Sequence, residues 1–441
     1  MKKILLLILV LLLGSQAVNA QETIGFTDPD QTLHLENYRL PDWGYDLLYL
    51  DFDGSFRAVN DFNDWKNRNT AGRINPVYFF YRESEKLVLD ARAQLPMQLF
   101  RNHQEDPNEN EITDRQFRTD LALNGTGRYY FEHLLFGIGQ ASFDLNTNRR
   151  AVDRDVGVDQ FQRRTDSRLQ LSGGIGYGRV RDVTPVIRAL RFNERMNAVG
   201  VGELNDAQIQ GMANVFARRT GFNRRYDRPA RHFWNEVGQI APDQLGSLSF
   251  YEAYFLTETL METTGQRFQG WDGNATVFVD HQRFTDEREE DGNTLWDLDG
   301  SETRIGVNLG GRMFHNLNLE QMFSARANIG LGMATYSDED DNESLFQVGF
   351  EVGHLYNLTD RILIQSAISN NYEKLGSGDD SVSDRVFRIN SAVTYFIENN
   401  IAVTGSVAYV HDRRDFGNVY DTRSDFRLDI SLRYYFMRSL F

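Results

Sequence analysis

The sequence predicts an all-β transmembrane protein, a closed antiparallel barrel of about fourteen strands with one helical insertion after the sixth. Three observations carry this prediction. Apolar and polar residues alternate with a period of two along many stretches of roughly 10 residues, the length a tilted spanning strand requires. The connections between those stretches are alternately short and long, and aromatic residues gather at both ends of them. A soluble β-sandwich also alternates, but it predicts neither the loop asymmetry nor two aromatic rows.

The chain opens Met1-Lys2-Lys3, continues through an aliphatic run from Ile4 to Leu13, and reaches Val18-Asn19-Ala20. This is the basic, apolar and small-residue order of an export signal, with cleavage expected after Ala20. The apolar run is shorter than the roughly 20 residues a membrane helix needs, and no later segment supplies one. No cysteine is present, which removes disulfides, cysteine–zinc sites and iron–sulfur ligation together. A net charge of −16 disfavours nucleic acid as a partner. No cofactor is expected.

Residues 21–42 are polar and irregular, with turn residues at Asp28-Pro29-Asp30, and form a periplasmic segment or a small lumenal plug. Strands are expected near 43–59, 74–82, 86–100, 116–130, 134–146, 167–180, 266–283, 303–315, 321–336, 345–356, 361–372, 385–396, 401–411 and 423–436. In the ninth, Phe323, Ala325, Ala327, Ile329, Leu331 and Met333 share one face and Ser324, Arg326, Asn328, Gly330 and Gly332 the other. Both ends of a bacterial barrel lie in the periplasm, with short turns there and long loops outside. The short connections are Glu83-Ser-Glu85, Phe131-Glu-His133, Asn316-Leu-Asn318, Asn357 to Asp360 and Ile397 to Asn400. The long ones are near 60–73, 101–115, 147–166, 284–302, 337–344, 373–384 and 412–422. Phe79-Phe80-Tyr81, Tyr129-Tyr130-Phe131, Tyr356, Tyr395-Phe396 and Tyr434-Tyr435-Phe436 mark the periplasmic girdle. Phe100, Phe143, Phe284, Tyr336, Tyr372 and Tyr409 mark the outer one.

The β pattern stops for about 80 residues after Gly173-Gly-Ile-Gly-Tyr-Gly-Arg179, so 43–181 and 265–441 are the two barrel halves and 182–264 is the insert. Thr184 is expected to cap a helix with Pro185 in its first turn. Asn205 with Gln208 and Ser249 with Glu252 form capping boxes. Ile209, Met212, Ala213 and Phe216 align on one helical face, Gly221 suits the stop, and Phe233, Val237 and Ile240 align on a third helix. The insert follows a descending strand, so it is periplasmic.

The last strand, Phe426 to Phe436, carries Phe426, Leu428, Ile430, Leu432, Tyr434 and Phe436 on one face, and the chain ends on Phe441. This resembles the C-terminal recognition signal of bacterial outer-membrane β-barrels, which implies delivery by the barrel assembly machinery. The Gly-Tyr-Gly-Arg strand end, the Thr-Pro helix start and Asn223-Arg-Arg-Tyr-Asp227 resemble a poorly characterised group of outer-membrane barrels with a periplasmic helical insert. That resemblance implies fold and location and brings no activity.

By strand parity the lumen wall includes Arg326, Arg388, Arg427 and Arg433, with Asp280, Glu351 and Asp429. Rings of such charges set ion preference. In the insert, Arg218, Arg219, Arg224, Arg225, Arg228 and Arg231 form a basic cluster able to meet a periplasmic protein or peptidoglycan, or to pair internally. The outer loops are acidic, at Asp286 to Asp291, Asp297 to Glu302 and Asp338 to Glu343, and keep the outer surface solvated, while the expected surroundings of the barrel are outer-membrane lipid and lipopolysaccharide. No metal site is assigned, because Asp297-x-Asp-Gly-x-Glu302 lacks the full ligand series of a calcium loop. Asp280-His281 and His411-Asp412 are neighbours on strands and point to opposite faces, so no catalytic pair and no enzymatic activity are expected. The expected function is a channel for passive or selective passage of small solutes. The alternative is a structural or export-associated barrel whose insert docks a partner or the cell wall.

Overall fold

The computed structural model describes residue 35 and residues 43–60, 66–105, 110–131, 133–218, 229–246, 248–259, 262, 264–337, 342–376, 381–398, 401–416 and 419–438. The export signal, nearly all of 21–42, Gly221, Asp338 to Asp341 and Phe441 lie outside the described residues.

One antiparallel sheet closes on itself. Its segments are β1 (Trp43–Asn60), β2 (Lys66–Glu83), β3 (Leu87–Gln94), β4 (Met97–Glu105), β5 (Glu111–Tyr130), β6 (Leu135–Arg154), β7 (Gln160–Asp182), β8 (Phe268–Glu290), β9 (Asn293–Asn316), β10 (Gln321–Tyr336), β11 (Asn342–Thr359), β12 (Ile362–Leu375), β13 (Val382–Glu398), β14 (Ile401–Phe416) and β15 (Val419–Arg438). Each pairs with its neighbours in sequence, and β1 pairs with both β2 and β15. β3 and β4 are one strand interrupted at Leu95-Pro96, where Pro96 has no N–H to give a ladder. Counted so, the barrel has fourteen strands, and the helical insert follows the sixth spanning strand, β7.

The strands are longer than a bilayer needs. β8 and β9 run 23 and 24 residues against the roughly 9–11 that cross a membrane, so half of each projects outward. The expected long loop at 284–302 is therefore a paired hairpin. Its turn is Asp291-Gly292, with φ of 48° and 76°, the positive pair of a two-residue turn that Asp-Gly favours. The acidic stretch from Asp286 to Glu302 is strand rather than loop, and Asp299 pairs with Arg283 at 2.6 Å.

Residues of one parity carry the exposed apolar side chains. Val277, Ile305, Leu309, Leu331, Val352 and Leu428 all point out. The opposite parity is polar, and it faces the lumen. The aromatic rows divide accordingly. Phe80, Tyr129, Tyr356, Tyr395 and Tyr434 point outward as an interface girdle. Phe79, Tyr81, Tyr130 and Phe396 share the inward parity, where the last three are buried. At the outer end Phe100, Phe284 and Tyr336 also turn inward, so only part of each expected aromatic row belongs to its girdle, a correction that follows from the two-residue period itself.

The barrel seam is short. Among the described residues seven pairs join β1 to β15, Asp46↔Arg438 to Phe52↔Leu432, against eighteen joining β1 to β2. Arg433 crosses this seam to Asp51 at 2.7 Å, and its guanidinium lies 4.6 Å over the Tyr49 ring.

The insert holds α1 (Thr184–Ala198), α2 (Asp206–Ala217), α3 (Pro229–Ile240), α4 (Pro242–Leu245) and α5 (Phe250–Glu258). Both expected capping boxes are formed. Thr184 does not cap α1. The Asp182 carboxylate accepts the Thr184 N–H at 2.8 Å instead, and the Thr184 hydroxyl accepts the Arg267 N–H. α2 ends at Ala217, before the expected Gly221 stop. Phe192, Phe216, Phe233 and Trp234 pack at its centre with ring centroids 5.6–6.5 Å apart. Two residues from outside the insert are buried in the same core: Leu319, from the β9–β10 turn, and Leu35.

Candidate functional site

The lumen is built from the inward parity of every strand, and register sorts it into rows. One row runs Asp272, Arg312, Arg326, Glu351, Ser369 and Arg388 across β8 to β13. Arg312 forks onto the buried Asp272 at 2.8–3.0 Å, and Arg326 reaches Glu351 at 3.8 Å. The row is therefore largely neutralised within itself. Three of the expected wall residues, Arg326, Glu351 and Arg388, stand together here.

The others are placed elsewhere. Asp280 is buried further toward the outside and is gripped by Arg168 at 2.8 and 3.0 Å. Arg427 pairs with Asp425 on its own strand at 2.6 Å, Arg433 closes the seam, and Asp429 is exposed on β15. In the insert Arg218 pairs with Glu236 at 2.7 Å and Arg231 is exposed. Arg219, Arg224, Arg225 and Arg228 lie outside the described residues. His281 faces away from Asp280 and contacts Thr303 at 3.0 Å.

Toward the periplasmic end the lumen wall turns apolar and buried. Val180, Phe314, Met322, Leu355, Leu363, Phe396 and Ala402 are inward-facing residues of seven different strands, and all are buried. Phe268 joins them to a second cluster of Tyr81, Val88, Tyr130, Phe136 and Ile138. Contacts cross the lumen here. The Tyr81 and Phe268 rings are 6.4 Å apart although β2 and β8 are separated by four strands. Arg179 of β7 donates to the carbonyls of Ser84 and Glu85 at 3.0 Å, and Glu83 accepts the Asp182 N–H at 3.1 Å. A barrel of this strand number otherwise leaves room inside.

The insert sits against this end. The segment leading from α5 into β8 packs Gly265 on Leu355 and Leu363, and Asn357 donates to the Thr264 carbonyl at 3.1 Å. Arg267 is fully buried and donates to Asn316, to the Asn318 carbonyl and to the Gln321 carbonyl at 2.8–2.9 Å, which pins the β9–β10 turn. Burial draws its pKa down to about 9, so it stays charged at neutral pH.

From α1, Arg191 and Arg195 each donate at 2.8 Å to Asp360 in the β11–β12 turn. Both also pair with buried Glu262. Burial raises the Glu262 carboxyl, opposed by Arg191, and burial also raises Glu320 beside them. Glu194 is pushed up to about 8, by burial first and then by Glu320. Sequence reasoning missed this junction. The i, i+4 spacing of Arg191 and Arg195 places both on one helix face, but their partner lies 165–169 residues away.

A closed strand ladder, an apolar outside and a polar inside decide the class. The protein is an outer-membrane β-barrel. No protein-family model matches this outer-membrane barrel, and no curated protein matches it in sequence. Among solved structures it is similar to the CymD monoaromatic hydrocarbon channel, at 9% identity and TM-score 0.31, covering 93% of this chain and 91% of that one. It is also similar to the translocator domain of autotransporter NalP from Neisseria meningitidis, at 8% identity and TM-score 0.29, covering 92% of each chain. Scores this low carry no argument about function. The strand register establishes the barrel by itself.

Proposed function

We propose that this barrel is a gated channel for small polar solutes, its periplasmic end held closed when the helical insert is docked there. The supporting observation is the contrast between the two ends of one lumen. Outward of the charged row the wall is polar, with amides, hydroxyls and glycine beside the Asp280–Arg168 and Arg304–Glu302–Glu373 ion pairs. Below it the same wall is apolar and packed. The insert is tied to that closure by few groups, chiefly Asp360, Leu319 and Arg267. Such a junction is a two-state element: docked, the lumen is blocked; swung away, a polar passage opens. The role is transport without catalysis. The test is single-channel recording of the mature protein in a planar bilayer, where the reading predicts rare openings to an ohmic level. Folded protein that never conducts, in any variant that loosens the junction, would sink it.

A second reading, a structural or export-associated barrel whose insert docks a partner, is favoured by one feature. Phe250, Tyr251 and Tyr254 form an aromatic face on α5 that is 88%, 71% and 59% exposed. Deleting the insert separates the two readings. Loss of a pulled-down partner with conductance unchanged favours docking, and a gain of conductance favours the gate.

A further inference from the structure

Just outward of the charged row lies a second register row with an unusual composition. Gly176 of β7 pairs with Asn274 of β8, Asn274 with Gly310, Gly310 with Asn328, Asn328 with Gly349, and Gly349 with Asn371. Six adjacent strands thus alternate glycine and asparagine on one line, all on the lumen parity. The glycines let the amides lean sideways. A Cβ at Gly349 would sit 2.6 Å from the Oδ1 atoms of both Asn328 and Asn371, and one at Gly310 would sit 3.3 Å from Asn274 Oδ1. Two residues further out, Asn308 and Gln347 flank Gly330 in the same manner, at 3.8 and 3.2 Å from its Cβ position.

The four asparagines are not used by the fold, whereas Gln347 donates to Glu373 at 2.8 Å. Among the described residues, the side chains of Asn274, Asn308, Asn328 and Asn371 make no hydrogen bond within the chain. Asn328 and Asn371 are exposed to the lumen. Each amide offers one acceptor and two donors and no charge. Ion binding calls for charge, and most of the neighbouring charged row is paired within itself, Asp272 with Arg312 and Arg326 with Glu351. A hydrocarbon would leave the amides unpaired, at a cost for each. The chemistry that fits is a neutral solute with closely spaced hydroxyls.

We infer that the Asn–Gly row is a binding track for neutral, polyhydroxylated solutes, with linear saccharides as the matching class. This rests on the channel reading above and names its solute. Successive asparagines are two strand spacings apart, about 10 Å, and the two rows are about 7 Å apart along the strands. A monosaccharide therefore reaches one amide and its neighbour in the next row. A chain of linked sugars lying along the row reaches two or three amides at once, so binding strengthens with chain length.

The test uses the full mature protein and unbranched neutral glucose oligomers of two to six units. Calorimetric titration into folded barrel in micelles measures binding whether or not the pore is open, and planar-bilayer recording measures block of ion current. The expected result is binding that tightens with length and is insensitive to salt. It should weaken at least tenfold in Asn328→Leu and in Gly349→Leu, with gel heat-modifiability retained as proof of folding. Binding that is absent, independent of length, or unchanged in both variants overturns the inference. Current without sugar binding or block sinks the saccharide track and leaves the channel. Length-dependent binding lost in the variants, from a barrel that never conducts, supports the track and sinks the channel.

Discussion

Asp360→Ala is the sharpest perturbation of the gate. The carboxylate accepts one charge-assisted hydrogen bond from Arg191 and one from Arg195, each 2.8 Å, and bridges the β11–β12 turn to α1. Fully buried, such bonds contribute about 1.5–3 kcal/mol each. The Asp360 side chain is 49% exposed, so solvent screening brings each down to roughly 0.5–1 kcal/mol. The two arginines keep Glu262, so no buried charge is orphaned and the insert keeps its own core. The docked state should lose about 1–2 kcal/mol, a factor of roughly 5–30 in the closed-to-open ratio. Single-channel open probability reads that factor directly, and Arg361→Ala, in the same turn without the bridge, serves as the control. A variant with the open probability of the parent would refute the latch.

Three further outcomes follow from the same geometry. Arg433→Ala removes the ion pair across the seven-pair seam and should lower the temperature of the heat-modifiable gel shift, at a cost of about 1–2 kcal/mol, while Arg427→Ala, paired only within its own strand, should not. Leu319→Ala empties a fully buried site in the core of the insert, costs about 2–5 kcal/mol of docking, and should expose the insert to protease with the barrel intact. Docking should also depend on pH. The Glu194 carboxyl rises on docking from about 4.5 to about 8, through burial and then Glu320, so the docked state holds the extra proton. Docking is therefore strongest below about pH 4.5, weakens as pH rises toward 8, and levels off above it. Open probability should rise from pH 6 to pH 8.5, and Glu194→Gln should flatten that rise. An unchanged or steeper rise in this variant counts against the assignment.

The barrel was legible in the sequence because a membrane gives each strand two different solvents. Phe323 to Met333 alternate cleanly because one face meets lipid and the other the lumen. The same logic fails where strands leave the bilayer. Arg283 and Asp299 have water on both sides, the period disappears, and a paired hairpin passes for a loop. Asp291-Gly292 carried a local turn signal even there. Aromatic pairs misled for a related reason. Tyr129 and Tyr130 look like one girdle, but consecutive strand residues face opposite ways, and Tyr130 is part of the closure. Thr184 lost the cap to Asp182 because the carboxylate two residues earlier already reached the first helical N–H.

The candidate site was less legible than the fold. Parity placed Arg326, Glu351 and Arg388 on the wall but could not show them in one row. The Asn–Gly track appears only once five registers are known, and a slip of one residue in any strand would turn its members to lipid. The Asp360 latch joins segments far apart in sequence, and no local pattern announces such a pair.

The central claim is that the insert opens and closes a polar lumen, and the absence of any cysteine makes it directly testable. Arg191→Cys with Asp360→Cys places two thiols across the junction, to be joined by a short, cleavable cross-linker. Current through single barrels is then recorded before and after cleavage. The account predicts silence while the insert is tethered, and ohmic openings more frequent than in the parent once the tether is cut. Equal current in the two states, or silence in both, would contradict it.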